Sequence, residues 1–264
     1  MINNKNINKL GNVPKFLGTY SMMPESKMSY SFDKKLALTG DMSLHLFNVE
    51  DALSKFKDTC FEIANLIAET QGILKMPYNP ECKGCEAQKE FTLDPKRELP
   101  NWKLRTVYRI QPSSLGFAWE NCKRCFINSV GGGKGSFSKV VFPPIIGACD
   151  RGMKNYFSNG PTDLIEGIPD GGKILPEVYV SLSVWYDFLS LGLSFLGKPE
   201  GICLYGDKSF GVIDYKLSEP KMMERYMNQL ACYSIALNYP DKQVHDHLGI
   251  SLYSKKLGFE LNAV

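Results

Sequence analysis

The sequence predicts a mixed α/β fold in which helices and strands alternate along the chain. Apolar residues recur every three or four positions over residues 49–74, which is the period of an amphipathic helix. Two short apolar runs around a turn at residues 200–216 are typical of a β-hairpin. A second helical stripe follows at residues 219–238. The 264 residues suffice for one large domain or two small ones with a hydrophobic core.

We expect residues 1–100 to form an N-terminal accessory segment that contains a helix and a cysteine pair. Its predicted elements are a loose polar leader at 1–15, strand-like pieces at 34–48 and the helix at 49–74. Residues 86–103 are charged and contain prolines, so they are a candidate linker. A second domain would then cover residues 101–264.

The second domain is predicted to contain both helices and strands. Its first helix would begin with Ser113 or Ser114 as N-cap, because a serine hydroxyl can accept a hydrogen bond from the first turn. The glycines at 131–135 lack the spacing and ending of a phosphate-binding loop, so we predict a flexible loop there. The other elements, in order, are a continuation of the first helix to Phe126, a helix at 145–158, a strand at 176–184, the hairpin at 200–216, the helix at 219–238 and a strand-like piece at 248–260.

Charge and hydropathy restrict the classes of function. The net charge of +3 is too small to indicate a polyanion partner by itself. No run approaches the roughly 18 apolar residues of a membrane span, so we expect no membrane partner. The first ten residues lack the apolar core of a signal peptide. We therefore expect a cytoplasmic protein, whose eight cysteines are thiols or metal ligands more than disulfides.

The hairpin at 200–216 carries the chemistry-bearing residues. Glu200 opens its first strand, and Asp214 and Lys216 end its second. Side chains alternate along a strand, so Asp214 and Lys216 share one face. Two carboxylates, with the backbone carbonyl of Tyr215, suit Mg²⁺ or Mn²⁺, and the lysine could stabilise an anion or orient a water. The alternative is a surface hairpin with an ordinary salt bridge.

Gln229 and Tyr233 lie four residues apart on the following helix, so they share one face. The glutamine can hydrogen-bond a phosphate or a base edge, and the tyrosine can stack on a base. Alternatively, Tyr233 is a core residue and Gln229 lies at its boundary.

These residues together resemble the PD-(D/E)XK nuclease superfamily. Pro-Glu at Glu200, Asp-Tyr-Lys ending at Lys216 and the Gln-x-x-x-Tyr helix are most similar to its RecB-like branch, which includes AddAB nuclease domains and CRISPR-associated exonucleases. The resemblance implies a restriction-endonuclease-like α/β core, with a mixed central sheet flanked by helices. It also implies Mg²⁺- or Mn²⁺-dependent cleavage of DNA, on single strands or ends. The resemblance further implies protein partners in a repair or CRISPR complex.

The resemblance also assigns roles to residues. Glu200, Asp214 and Lys216 would be catalytic, and Gln229 and Tyr233 would line the substrate site. Glu200 stands where this branch usually has aspartate, and the region that matches its upstream histidine contains Asp150 and Lys154 instead. Asp150 is then a candidate metal ligand and Lys154 a candidate substrate contact. The alternative function is a catalytically inactive nucleic-acid-binding or scaffold module with the same fold.

Two Cys-x-x-Cys pairs, Cys82 with Cys85 and Cys122 with Cys125, suit a tetrahedral zinc ion or an iron–sulfur cluster. Ordinary thiols are the alternative. In RecB-like nucleases with such a cluster, a similar pair lies near the C-terminus. We therefore hypothesise that the N-terminal segment is a permuted C-terminal part of the fold, which predicts that Cys82 and Cys85 lie close to Cys122. The other cysteines are predicted to be buried small apolar residues: Cys60, Cys149, Cys203 and Cys232.

Overall fold

The computed structural model describes residues 2–3, 14–24, 40–69, 81–82, 107–130, 144–217 and 220–241. Several predicted features lie outside the described residues: most of the leader, the linker at 86–103, the glycine loop at 131–135, Cys85 and the piece at 248–260.

The described strands form two mixed sheets. Their bounds are β1 Ile2–Asn3, β2 Phe16–Pro24, β3 Gly40–Phe47, β4 Val107–Ile110, β5 Lys173–Leu175, β6 Val180–Tyr186, β7 Leu191–Gly197, β8 Gly201–Leu204 and β9 Phe210–Lys216. One sheet has the order β1-β6-β7-β4 and the other β3-β2-β9-β8-β5. In the larger sheet β2 runs parallel to β9, and the other neighbours are antiparallel. The mixed α/β class is confirmed, with the strands divided between two sheets.

The described helices are α1 Val49–Glu69, α2 Pro112–Ser114, α3 Lys123–Val130, α4 Pro144–Phe157 and α5 Met227–Asn238. Asn48 caps α1, since its Oδ1 accepts a hydrogen bond of 3.0 Å from the backbone N–H of Asp51. The predicted serine cap of α2 is wrong, because Gln111 holds the N-cap position and the Ser114 hydroxyl donates to the Gln111 carbonyl. The chain continues from α2 as a π-helical turn, Leu115–Trp119.

The helix predicted at 219–238 is divided in two. Pro220–Tyr226 is a 3₁₀-helix, and only Met227–Asn238 is α-helical. Nine consecutive residues from Asn228 to Ala236 are buried, so α5 is a central helix and not the amphipathic surface helix that its stripe suggested. Its neighbours are α1 on one side and β6 and β9 on the other.

The larger sheet separates two apolar clusters. Alternation along β9 directs Val212 to the cluster that contains α1, α5 and the smaller sheet, and directs Ile213 and Tyr215 to the cluster that contains α4. The Asp214 side chain therefore points toward α5, inside the protein. The predicted alternation of these residues is confirmed.

The described part of residues 1–100 shares sheets and core with the later elements. β2 lies between β3 and β9, and α1 packs on α5. β2 and β7 were not predicted from the sequence, and the strand predicted at 176–184 begins at Val180. Within the part of the chain that the structure describes, no helix combines the length and apolar character that a membrane span requires.

Candidate active site and cysteine cluster

The hairpin of β8 and β9 brings Glu200, Asp214 and Lys216 together at one end of the larger sheet. Its register pairs Gly201 with Ile213, so Glu200 and Asp214 follow at the next position. The backbone N–H of Tyr215 donates a 2.7 Å hydrogen bond to Glu200 Oε2, which fixes this carboxylate against β9. The connection spans residues 205–209, longer than the three-residue turn predicted, and Lys208 has a left-handed φ of 65° there.

Asp214 is fully buried and has two polar neighbours on its own side of the sheet. The Lys216 ammonium forms an ion pair with Oδ2, and the Gln229 side-chain amide donates a 3.1 Å hydrogen bond to Oδ1. A buried carboxylate needs such partners, because desolvation of an isolated charge is very costly. Lys216 also lies over the Tyr226 ring, with Nζ 4.9 Å from its centroid. The pair is therefore not the exposed salt bridge of the alternative interpretation.

Lys154 links a second group of carboxylates to the hairpin. From the last turns of α4, its Nζ lies 2.9 Å from Asp150, 3.0 Å from Glu177 and 3.1 Å from Glu200. An ammonium has three N–H donors, so these carboxylates can use all of them. The predicted substrate contact, Lys154, thus binds the acidic residues of the site in this structure.

Burial and charge shift the acid–base properties of the site. Burial, followed by the charge of Asp214, raises the pKa of Glu200 to about 8, although Lys216 and Lys154 act in the opposite direction. Burial alone would lower the pKa of Lys216, but Asp214 and Glu200 outweigh it and raise that pKa. The pKa of Lys154 is likewise raised, because Glu200 and Asp150 outweigh its burial.

The two helix residues predicted to line the substrate site are both buried. Gln229 is 4% exposed and hydrogen-bonds Asp214, and Tyr233 is 3% exposed. Burial, and next the charge of Asp214, raises the pKa of Tyr233. Gln229 therefore supports the carboxylate of Asp214 from within, and Tyr233 is a core residue of the same helix. The Tyr215 ring lies on the other face of the sheet, stacked on Phe157 at 5.3 Å.

Glu177 belongs to this site and was not identified from the sequence. It lies in an extended stretch before β6, in a Pro-Glu-Val-Tyr context without a recognised motif. The available signal was its Pro-Glu dipeptide, which repeats that at Glu200.

Three of the four predicted cysteine ligands converge. The Sγ atoms of Cys82, Cys122 and Cys125 all lie within 4.8 Å of one another, and Cys82 Sγ is 3.7 Å from Cys125 Sγ. That distance is far longer than the roughly 2.05 Å of a disulfide. It matches the edge of a tetrahedron with Zn–S bonds of about 2.3 Å, which is about 3.8 Å. This group could hold a metal ion, and Cys82 lies beside Cys122 although it precedes Cys122 by 40 positions in the sequence.

The remaining four predicted thiols are buried and free, as expected: Cys60, Cys149, Cys203 and Cys232.

Comparison of the chain with protein-family models, with curated proteins and with solved structures finds no match.

Proposed function

We propose that this protein is a metal-dependent DNA nuclease that hydrolyses phosphodiester bonds, acting on single strands or ends in DNA repair, mobile-element or CRISPR-related processes. The observation that supports this most strongly is the buried Asp214, held by Lys216 and Gln229 next to Glu200. A fully buried acid and a lysine at a strand end are costly for stability alone. Such an arrangement is typical of a functional site.

The donor set fits a hard divalent cation. Among the described residues, four carboxylates meet two ammonium groups here, so a fully ionised cluster carries two excess negative charges. Mg²⁺ and Mn²⁺ prefer such oxygen ligands and keep several waters. Glu200 and Asp214 are the proposed ligands, with Asp150 and the Tyr215 carbonyl as further candidates.

The residues of the site would have distinct roles in hydrolysis. A bound divalent cation would lower the pKa of a water and neutralise negative charge on the phosphate. Lys216, fixed by Asp214, would present its ammonium to the attacking water or to a phosphate oxygen. Gln229 would keep Asp214 oriented, and Lys154 would keep Glu200 in position.

The test is cleavage of labelled single- and double-stranded DNA in Mn²⁺ by the full chain. We expect wild-type activity to disappear in Asp214→Asn and Lys216→Gln. Asp207→Asn is the matched control, because Asp207 lies in the exposed turn of the same hairpin. Unchanged cleavage by Asp214→Asn would show that the roles are wrong.

We also propose that Cys82, Cys122 and Cys125, with Cys85 as fourth ligand, hold one structural zinc ion. The 3.7 Å separation of two sulfurs suits thiolates that share a single ion. In a [4Fe–4S] cluster each thiolate binds a different iron, which places the sulfurs further apart. Metal analysis of the purified protein should give one zinc per chain, and a brown protein rich in iron would reverse this choice.

One observation favours a second candidate, a nucleic-acid-binding or scaffold module without activity. Lys154 and Lys216 already contact every carboxylate of the site, so cations of the chain itself satisfy much of its charge. Mn²⁺ titration distinguishes the two functions. Binding of Mn²⁺ that is lost in Asp214→Asn supports the nuclease, whereas DNA binding without Mn²⁺ binding or cleavage supports the module.

A further inference from the structure

Tyr179 and Lys198 form an exposed pair beside the carboxylate cluster. Lys198 Nζ lies 4.5 Å from the centroid of the Tyr179 ring, and the tyrosine is 41% exposed. An exposed cation–π contact of this kind contributes little to stability. Neither residue is used by the site described so far.

The register of β6 and β7 explains their position. The last ladder pair at this end is Val180 with Gly197, and Tyr179 and Lys198 are the residues that adjoin this pair on the two chains. Two residues beyond them lie Glu177 and Glu200, whose carboxylates both contact Lys154. The pair therefore adjoins two carboxylates of the site, one on each chain.

Exposure increases from Asp214 toward this pair. The side chain of Asp214 is 1% exposed, that of Glu200 15% and that of Glu177 33%. The fourth carboxylate, Asp150, is 36% exposed, so the cluster opens to solvent where Asp150 and Glu177 lie, and Glu177 is two residues from Tyr179. A substrate strand that reached Asp214 over Glu177 would pass close to this aromatic ring and its cation.

We propose that Tyr179 and Lys198 bind a single strand of DNA next to the scissile phosphate, with a base stacked on the Tyr179 ring and a backbone phosphate bound by the Lys198 ammonium. This inference rests on the proposed nuclease function and identifies the contacts that guide its substrate. Every base has a π-face, so stacking accepts any sequence. Lys198 has a flexible stem and can leave the ring for a phosphate when a base takes its place.

The experiment measures binding of two fluorescent strands to the full chain, in buffer without divalent cations so that no cleavage occurs. One strand is an oligothymidylate of about 12 nucleotides, and the other has the same phosphates but abasic sugars. We expect wild type to prefer the thymidylate by about 5- to 100-fold, from stacking. Tyr179→Ala should remove most of this preference, and Tyr179→Phe should keep it.

Lys198→Gln should weaken binding of both strands and lower the salt dependence of log K by roughly 0.7, as for one lost phosphate contact on a single strand. Phe188→Ala is the control for the tyrosine, because Phe188 is 66% exposed at the opposite end of the β6–β7 hairpin. Lys173→Gln, an exposed lysine on β5, is the control for the charge. Neither control should change binding, and thermal unfolding checks that every variant is folded.

Two results would overturn the inference. If Tyr179→Ala keeps the thymidylate preference, or if Phe188→Ala loses it equally, the ring is not a stacking site. Wild-type cleavage in Mn²⁺ is measured in parallel. If wild type cleaves DNA but Tyr179→Ala has no effect on binding, only this inference is contradicted. If wild type neither binds nor cleaves DNA, the proposed nuclease function is contradicted as well.

Discussion

Replacing Glu200 by glutamine should change how the stability of the protein depends on pH. Burial and the charge of Asp214 raise the pKa of the folded Glu200 to about 8 from its ordinary value of 4.5. Between these values the folded carboxyl holds a proton that the unfolded chain has released. Folding is then favoured by protonation, so stability falls as pH rises through this window. Glutamine has the shape of the protonated carboxyl and does not titrate, so this contribution disappears.

The size of the effect follows from the two pKa values. Stability should fall by about 1.4 kcal/mol per pH unit where the folded state holds one additional proton. Integrated from pH 5 to pH 8 with a folded pKa of about 8, the wild type should lose about 3.5 kcal/mol relative to Glu200→Gln. The stability contributed by Glu200 is complete below the unfolded pKa and is lost as pH rises through the folded one.

Urea unfolding at several pH values, in buffer treated to remove free divalent cations, measures this difference. Other titrating groups are common to both proteins, so they cancel in the comparison. Glu166→Gln, at an exposed glutamate, is the control and should follow the wild type. Addition of Mg²⁺ should reduce the loss at pH 8, because a bound cation favours the ionised carboxylate. Parallel curves for wild type and Glu200→Gln in the treated buffer would refute the reasoning.

Three further predictions concern the buried ion pair, the cysteine cluster and the sheet. Lys216→Met should destabilise the protein by about 3–5 kcal/mol in urea unfolding, since it leaves Asp214 buried without its counter-ion, and the added change Asp214→Asn should restore most of this loss. Cys125→Ser should lower the bound zinc measured by elemental analysis well below one equivalent, with a lower Tm. Gly211→Ala should cost about 1–3 kcal/mol, because the new Cβ would lie 2.2 Å from the Phe16 ring.

The substitutions in the sheet and in the cysteine cluster each have a matched control variant. Gly206→Ala adds a Cβ with no heavy atom within 4 Å and should be nearly neutral. Cys149→Ala removes a buried thiol outside the cluster, so it should leave the zinc content unchanged. A Lys216→Met protein as stable as wild type would mean that Asp214 is satisfied without its ammonium. Full zinc content in Cys125→Ser would exclude this sulfur as a ligand.

Local patterns predicted the hairpin and the alternation of its side chains well. The alternation of Val212, Ile213 and Asp214 follows from the two-residue period of a strand, which holds wherever the segment is placed. The convergence of Cys82 with Cys122 agrees with the permutation hypothesis, which stays a prediction together with the division at residue 100.

Tertiary context decided what the sequence could not show. α5 is buried on all sides, so its periodicity was a weak guide to its role, and the residues predicted as its first turns, Pro220–Tyr226, form a separate 3₁₀-helix. β2 is a central strand because of its pairing with β9, which no local pattern encodes. Glu177 joins the site through Lys154, which also contacts Glu200, and an acid outside any strand or helix has no signature of its own.

The parallel pairing of β2 with β9 also sets the order in which this protein can assemble. Phe16 pairs with Gly211, so the strand that carries Asp214 obtains one neighbour from its own hairpin and the other from roughly 200 residues earlier. Closing a flexible loop of that length costs about 5 kcal/mol of chain entropy before any contact offsets it. Proteins dominated by such distant pairings fold slowly, in milliseconds to seconds. During refolding, helix formation should therefore precede recovery of the proposed Mn²⁺ binding, because the carboxylates are brought together only when the last distant strand is in place.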